Sequence, residues 1–251
     1  MSRRIVIPGA DQGSPKIKIC GIFREEDADV LNEVLPDYAG FVFAEKSHRY
    51  VTPDQARTLR NIINPHIVTV GVFVNAEPGL IADLVLEGTI GAVQLHGSED
   101  ADYVLALKNL LRSSGAADTA IIKAVPVTNA ASVIAGSASV IAAPASVTAA
   151  PASVTQGAAP QSTFLLFDNG AGGTGKSFDH GVLREAAANG TLTKLPFFVA
   201  GGLNPENVSE VLDLPLFGVD VSGGVETDGV KDPEKIRRFA EALRSGGREN
   251  P

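Results

Sequence analysis

The sequence is poor in several things that would place a protein in other classes. It has one cysteine, no tryptophan, and fewer basic than acidic residues, 21 Lys and Arg against 29 Asp and Glu. A lone cysteine cannot close an intramolecular disulfide, so the fold needs no oxidising compartment. Nor can it furnish a cysteine-based zinc cluster, and no metal is expected. A formal charge of −8 and a pI near 5.0 argue against a nucleic-acid partner, whose phosphates select a basic surface. After Arg3 and Arg4 the apolar run is only Ile5-Val6-Ile7 before Pro8 and Gly9, too short for a signal-peptide core. Residues 1–14 therefore read as a loose extension, and the expected location is the cytoplasm. What remains is 251 residues, 44% of them apolar, enough for one α/β barrel or at most two ordinary domains.

Charge is also missing locally. No charged residue lies between Lys123 and Asp168, and within that stretch Ala-Ser-Val recurs at 131, 138, 145 and 152, a period of seven. Pro144 and Pro151 share one heptad position, and the large apolar residues of a coiled-coil seam are missing. Ala, Ser, Thr, Gly and Pro without flanking aromatic anchors do not make a membrane span, so no membrane partner is expected. The remaining reading is a surface insertion over 128–160, with a short helix over 128–142 ahead of the prolines. A variable loop takes such length at little closure cost.

Elsewhere short apolar, β-branched runs recur at Lys16–Cys20, Tyr38–Phe43, Val68–Val74, Ala92–Leu95, Ile121–Val125, Phe164–Phe167, Phe197–Ala200 and Phe217–Val221. Each is continuous rather than alternating, as in strands buried on both faces. Helical segments lie between them. Acids open 25–35, Thr52-Pro53-Asp54 caps 53–63, Pro78 starts 78–87, and Ser98-Glu99-Asp100 starts 99–113. Asp179 starts 180–188, Asn204-Pro205-Glu206 caps 205–212, and Asp232-Pro233-Glu234 caps 233–244. Eight strands and seven helices, with the repeat in the fifth helix's slot, are the arithmetic of a single (β/α)8 barrel over 15–251 carrying an insertion between its fifth and sixth strands. A doubly wound sheet is the alternative; it rarely takes eight parallel strands in so few residues.

In such a barrel the chemistry collects where strands end. The ends deliver Cys20-Gly21, then Ser47-His48-Arg49-Tyr50, Asn75, Gln94 with His96, Lys123, Asp168, Gly201-Gly202, and Asp220 with Ser222-Gly223-Gly224. Glycine pairs after the seventh and eighth strands let backbone amides close around an anion, and a following helix N-terminus adds favourable potential. Gly170–Ser177 satisfies the letters of a phosphate loop but follows the sixth strand of eight, so it reads as a glycine-rich active-site loop. Cys20 and Asp168 form a candidate acid–base pair, although a strand cysteine is more often a small buried hydrophobe. Asp168 could instead cap a helix or pair with Lys18 or Lys123. His96 reads as a strand-end hydrogen bonder, and His48, His66 and His180 as loop residues.

At these residues the sequence resembles the phosphoribosylanthranilate isomerase family. The matching motifs are Lys18-Ile-Cys-Gly21, Gly40-Phe-Val-Phe43 with Ser47-His-Arg-Tyr-Val51, Val70-Gly-Val-Phe-Val74, Val93-Gln-Leu-His-Gly97, Leu166-Phe-Asp168 with Gly172-Gly-Thr-Gly-Lys176, Ala200-Gly-Gly-Leu203, and Gly218-Val-Asp-Val-Ser222 with Gly224-Val-Glu226. The resemblance implies an Amadori rearrangement of N-(5′-phosphoribosyl)anthranilate without a cofactor. In it Cys20 is general base and Asp168 general acid, and Arg49 faces the anthranilate carboxylate. Gln94 joins the substrate-binding residues, Asp220 helps orient the sugar, and amides around Gly201, Gly202, Ser222 and Gly223 bind phosphate. The implied partner is this small phosphosugar–anthranilate substrate, and monomer and homodimer both stay open. Two departures stand out. The family usually has proline at the position of His48 and serine at that of Gly223. Within the same fold, a related indole-forming synthase needs barrel lysines and glutamates that are not found here. A related histidine-pathway isomerase has aspartate where this chain has Cys20. A non-catalytic phosphosugar-binding barrel is the rival from another class.

Overall fold

Strands that are apolar on both faces are stable only when both faces are covered. In the computed structural model, which describes residues 14–129, 131–133, 163–169, 179–190, 192 and 196–246, eight such strands cover one another. They are β1 Lys16–Cys20, β2 Tyr38–Val42, β3 Val68–Phe73, β4 Ala92–Leu95, β5 Ala120–Pro126, β6 Thr163–Asp168, β7 Phe197–Val199 and β8 Gly218–Val221. They pair in chain order into a closed barrel. β8 returns in parallel to β1, with Lys18 opposite Asp220. The expected (β/α)8 architecture is thus the observed one, with strand limits within a residue or so of those read from the sequence.

Strand side chains alternate between faces, and the alternation builds two cores. Ile17, Ile19, Phe41, Phe73, Leu95, Ile121, Phe167 and Val219 pack outward against helices. The other set, Tyr38, Val70, Ala92, Ile122, Phe164, Leu166 and Phe198, fills the interior. There Phe164 and Phe198 lie 4.8 and 5.2 Å from the Phe217 ring, and Tyr38 meets Phe198 edge-on at 5.7 Å. These rings plug the barrel near its strand starts. Toward the strand ends the same inward parity brings Lys18, Cys20, Gln94, Asp168 and Asp220, so polarity rises as the strands run out.

The helices are α1 Glu25–Val34, α2 Pro53–Ile62, α3 Pro78–Leu86, α4 Ala101–Ser113, α5 Gly181–Ala188 and α6 Pro233–Gly246. Their starts follow the expected chemistry. Thr52 Oγ1 accepts from Gln55 N at 3.2 Å while Gln55 Oε1 accepts from Thr52 N at 2.9 Å, a reciprocal capping box. Asp100 caps α4 by accepting from Tyr103 N at 2.9 Å. That helix starts two residues later than expected, because Glu99 turns inward instead. Among the described residues no helix is long and apolar enough to cross a membrane.

One expected helix is corrected. The 205–212 segment is only a 3-10 turn, Val208–Val211. Asn204 Oδ1 does accept from Glu206 N and Asn207 N, at 2.9 and 3.0 Å. Only 131–133 of the heptad repeat is described; those residues are helical, with Val133 buried. The rest of the expected 128–142 helix, most of the 128–160 insertion, residues 1–13, and the Gly170–Ser177 loop with Gly172–Lys176 lie outside the described residues.

Candidate active site

The inward-facing strand ends open into a cavity of about 240 Å³. Cys20 from β1 and Asp168 from β6 both line it, with Arg49, Gln94, His96, Asp220, Gly201, Gly202, Ser222 and Gly223. The nine residues to which the resemblance gives a role all line this one cavity, whereas Asn75 and Lys123 do not, and the Gly170–Ser177 loop lies outside the described residues.

Cys20 is buried and packed edge-on against glycine. A Cβ at Gly40, its partner across β2, would lie 2.7 Å from the Cys20 Sγ. Beneath it the fully buried Lys18 donates to Asp220 Oδ1 at 2.9 Å. Burial pushes the Cys20 thiol above its usual value; the Lys18 ammonium opposes that shift and the Asp220 carboxylate adds to it. The resting group is thus the thiol. Burial alone would lower Lys18, but Asp220 and Cys20 outweigh it and hold the amine above its usual value. Lys18 keeps its charge one strand step from the sulfur. It pairs with Asp220 and not with Asp168, and Lys123 pairs with Glu99 at 2.9 Å, so Asp168 is left to the cavity.

Asp168 Oδ1 accepts from Asn169 N at 2.7 Å. Its Oδ2 faces His96 Nε2 at 3.4 Å, long for a hydrogen bond. The other ring nitrogen, Nδ1, lies 2.8 Å from Gln94 Nε2. His96 is thus more than the strand-end hydrogen bonder its position suggested.

After β7 and β8 the backbone carries the chemistry. Gly201 and Gly202 hold φ of 83° and 70°, left-handed values that L side chains avoid. No hydrogen bond among the described residues takes the N–H of Gly201, Gly202, Ser222 or Gly223, which leaves four donors beside the cavity for an anion. The helix expected to reinforce them is present only as short 3-10 turns, Val208–Val211 and Gly223–Val225. Gly224 has a packing reason. A Cβ there would sit 1.8 Å from Leu203 O, where the two loops touch. Ser222 Oγ donates to Cys20 O at 3.0 Å and ties the eighth loop to the first strand.

Arg49 is the residue whose surroundings differ most from expectation. It is buried, and its Nε and Nη2 donate to Glu226 Oε1 and Oε2, each at 2.7 Å. Lys231 Nζ donates to the same Oε1. Burial would raise the Glu226 carboxyl, but Arg49 and Lys231 together hold it below its ordinary value. Gly21 leaves room for this arginine, since a Cβ there would lie 2.3 Å from Arg49 Cδ. His48 is 57% exposed at 3.9 Å from Glu226 Oε2. His180, read as a loop residue, lies in the turn just before α5 and is buried there, and burial lowers its pKa.

Sequence reasoning named Lys18 only as a possible partner of Asp168 and His96 only as a strand-end hydrogen bonder, and it gave Glu226 and Lys231 no role. The period of two was a usable signal for the first two, since Lys18 shares the face of Cys20 and His96 that of Gln94. Nothing local marks Glu226 as the partner of Arg49, 177 positions away.

Comparison with known proteins gives a consistent answer. The family model described as N-(5′phosphoribosyl)anthranilate (PRA) isomerase matches residues 17–124 and 129–242. The N-(5′-phosphoribosyl)anthranilate isomerase of Endomicrobium trichonymphae is 39% identical over 236 residues, covering 92% of this chain and 99% of that one. A crystal structure of phosphoribosyl anthranilate isomerase in complex with reduced 1-(o-carboxyphenylamino)-1-deoxyribulose 5-phosphate superposes with a TM-score of 0.71 at 30% identity, covering 92% of this chain and 99% of that one. A structure of monomers generated from the dimeric enzyme of Thermotoga maritima gives 0.70 at 30% identity, with the same coverage.

Proposed function

The chain belongs to the N-(5′-phosphoribosyl)anthranilate isomerase family, and from that membership we propose how its own residues carry the reaction. The activity is an intramolecular aldose–ketose isomerisation of N-(5′-phosphoribosyl)anthranilate in tryptophan biosynthesis. The observation that carries the assignment is the presence of Cys20 and Asp168 in one cavity, on opposite strands, each at a strand end.

Protonated Asp168 gives its proton to the furanose ring oxygen. The C1′–O bond breaks and leaves a cationic Schiff base. Cys20, as thiolate, takes the proton from C2′, and that electron pair forms the enolamine double bond. The enolamine becomes the ketone by gaining a proton at C1′ and losing the one on its C2′ hydroxyl. The resting thiol must first release its proton to solvent in the cavity. Lys18 beside it, and the positive charge of the Schiff base, both favour the thiolate. Gln94, Asp220 and Arg49 orient the sugar and the anthranilate carboxylate, and the free amides of Gly201, Gly202, Ser222 and Gly223 hold the phosphate. Arg49 arrives with two of its donor nitrogens already used by Glu226, so it binds the carboxylate through what remains of its fork. All these side chains belong to one chain, which supports a site complete in a monomer and equally in each half of a homodimer. A free thiol in this role suits a reducing cytoplasm. We read 15–251 as one barrel domain, with 1–14 as an extension and 128–160 as an insertion.

The test is Cys20→Ser and Asp168→Asn, with turnover followed by loss of anthranilate-substrate fluorescence. Each is expected to lose ~10²–10⁴-fold in kcat. Turnover near that of the parent in either variant removes that residue from the mechanism.

A further inference from the structure

The reaction leaves Asp168 ionised and Cys20 protonated, so the next turnover needs Cys20 to release a proton to solvent and Asp168 to gain one. The carboxylate meets solvent only through the cavity it lines. Its side chain is 9% exposed, and Oδ1 is occupied by Asn169 N. Its Oδ2 faces His96, whose side chain is the more exposed of the two, at 26%.

The surroundings of His96 suit a group that changes protonation. Gln94 Nε2 donates to an unprotonated Nδ1, which puts the neutral ring's proton on Nε2, facing Asp168. Gln94 Oε1 is buried with no hydrogen-bond partner among the described residues. A half-turn of the amide would bring that oxygen to Nδ1, where it accepts from a protonated ring. The same glutamine thus serves both charge states, and its otherwise costly unsatisfied oxygen is met when the ring carries two protons. The backbone under the imidazole is clamped. His96 N donates to Phe73 O at 2.8 Å, Lys123 Nζ donates to Gly97 O at 2.7 Å and to Glu99 Oε2 at 2.9 Å, and Glu99 accepts from Gly97 N and Asn75 N at 2.9 and 2.7 Å. A buried ion pair therefore fixes the turn that carries the ring.

We propose that His96 is the relay that returns a proton to Asp168 after each turnover, with Gln94 stabilising both ring states. The imidazolium gives its Nε2 proton to Asp168 Oδ2, so that the N–H bond breaks and the O–H bond forms. The neutral ring keeps the Nδ1 proton, donated to Gln94 Oε1, and regains a proton at Nε2 from water. The 3.4 Å separation shortens at the moment of transfer, as catalytic contacts commonly do on leaving the unliganded state. The inference rests on the acid role of Asp168.

A relay that acts after the chemistry has a kinetic signature that a positioning role lacks. His96→Gln keeps a donor toward Asp168 but cannot pass a proton through. Its first turnover, measured with enzyme in excess, is expected within about twofold of the parent, while steady-state kcat falls ~10-fold or more. The progress curve then shows a burst of one equivalent. In His96→Ala, added imidazole is expected to raise steady-state kcat in proportion to its concentration. First-turnover and steady-state rates falling together, or neither falling, overturn the relay, as does a His96→Ala enzyme that melts like the parent yet ignores imidazole. If His96→Ala does not fold, the burst in His96→Gln decides alone. Asp168→Asn run alongside separates the two levels. An active Asp168→Asn defeats the acid assignment itself, whereas an inactive one with a silent His96→Gln defeats only the relay.

Discussion

Arg49 grips Glu226 through a two-pronged contact, Nε to Oε1 and Nη2 to Oε2 at 2.7 Å each, with both side chains almost wholly buried. The geometry fixes the plane of the guanidinium and so decides which donors remain for a substrate carboxylate. Glu226→Gln offers Arg49 only one acceptor and turns an amide N–H₂ toward it. With a charge-assisted bond worth ~1.5–3 kcal/mol, KM is expected to rise ~10–100-fold while kcat changes little, because Arg49 orients the ground state and the reacting atoms lie elsewhere. Steady-state kinetics on the variant check this. An unchanged KM would mean that Arg49 is held well enough by Gly21 and its own packing.

The same carboxylate sets a pH dependence of stability. Arg49 and Lys231 keep the Glu226 pKa below the ordinary glutamate value of 4.5 in the folded chain. The unfolded chain therefore binds this proton more readily, and the ionised form favours folding. The contribution is full above about 4.5 and is lost as pH falls through the lower folded value. Glu99, held down by Asn75 N and Lys123 against the opposing effect of burial, behaves alike. Urea unfolding of the parent and Glu226→Gln is expected to show the parent more stable near neutrality, with the gap closing as pH drops below 4.5. A gap independent of pH would show that Glu226 titrates alike in both states.

The barrel was legible because a strand covered on both faces carries an unbroken apolar run, and eight of these recur between capped helices. The caps were legible because Thr52 and Asp232 sit just before Pro53 and Pro233, where orphan N–H groups need acceptors. The 205–212 segment misled because its Asn204 start signal is genuine, although only a 3-10 turn, Val208–Val211, follows it. Within the site, Cys20 and Asp168 were legible as strand-end groups. Lys18 was not, since a lysine inside an apolar strand has meaning only once Asp220 comes opposite it on closure of β8 against β1. Arg49 was legible as a cation but its partner was not, since that pairing exists only in the folded loops.

Two glycines with left-handed backbone, one against Asp168 and one at the end of α3, offer a test in which backbone strain and site geometry separate. Gly201 has φ of 83°, and a Cβ there would lie 2.7 Å from Asp168 Oδ1 and 3.0 Å from Asn169 N. Gly88, at the end of α3, has φ of 77° with nothing within 4 Å of the same point. Alanine at either position bears the left-handed penalty, roughly 1–2 kcal/mol, so both variants are expected to lose comparable stability in urea. Only Gly201→Ala also pushes on the acid. That Cβ cannot be accommodated by a flexible tip, because its neighbours are a short carboxylate and a backbone nitrogen tied to each other at 2.7 Å. A displacement of about 1 Å at a reacting group can cost ~10²-fold in rate. Gly201→Ala is thus expected to lose ~10–10²-fold in kcat/KM while Gly88→Ala keeps parental kinetics. Equal kinetics in the two variants would mean that Asp168 shifts without consequence, and that the tight approach of the Gly201 backbone does not serve the acid.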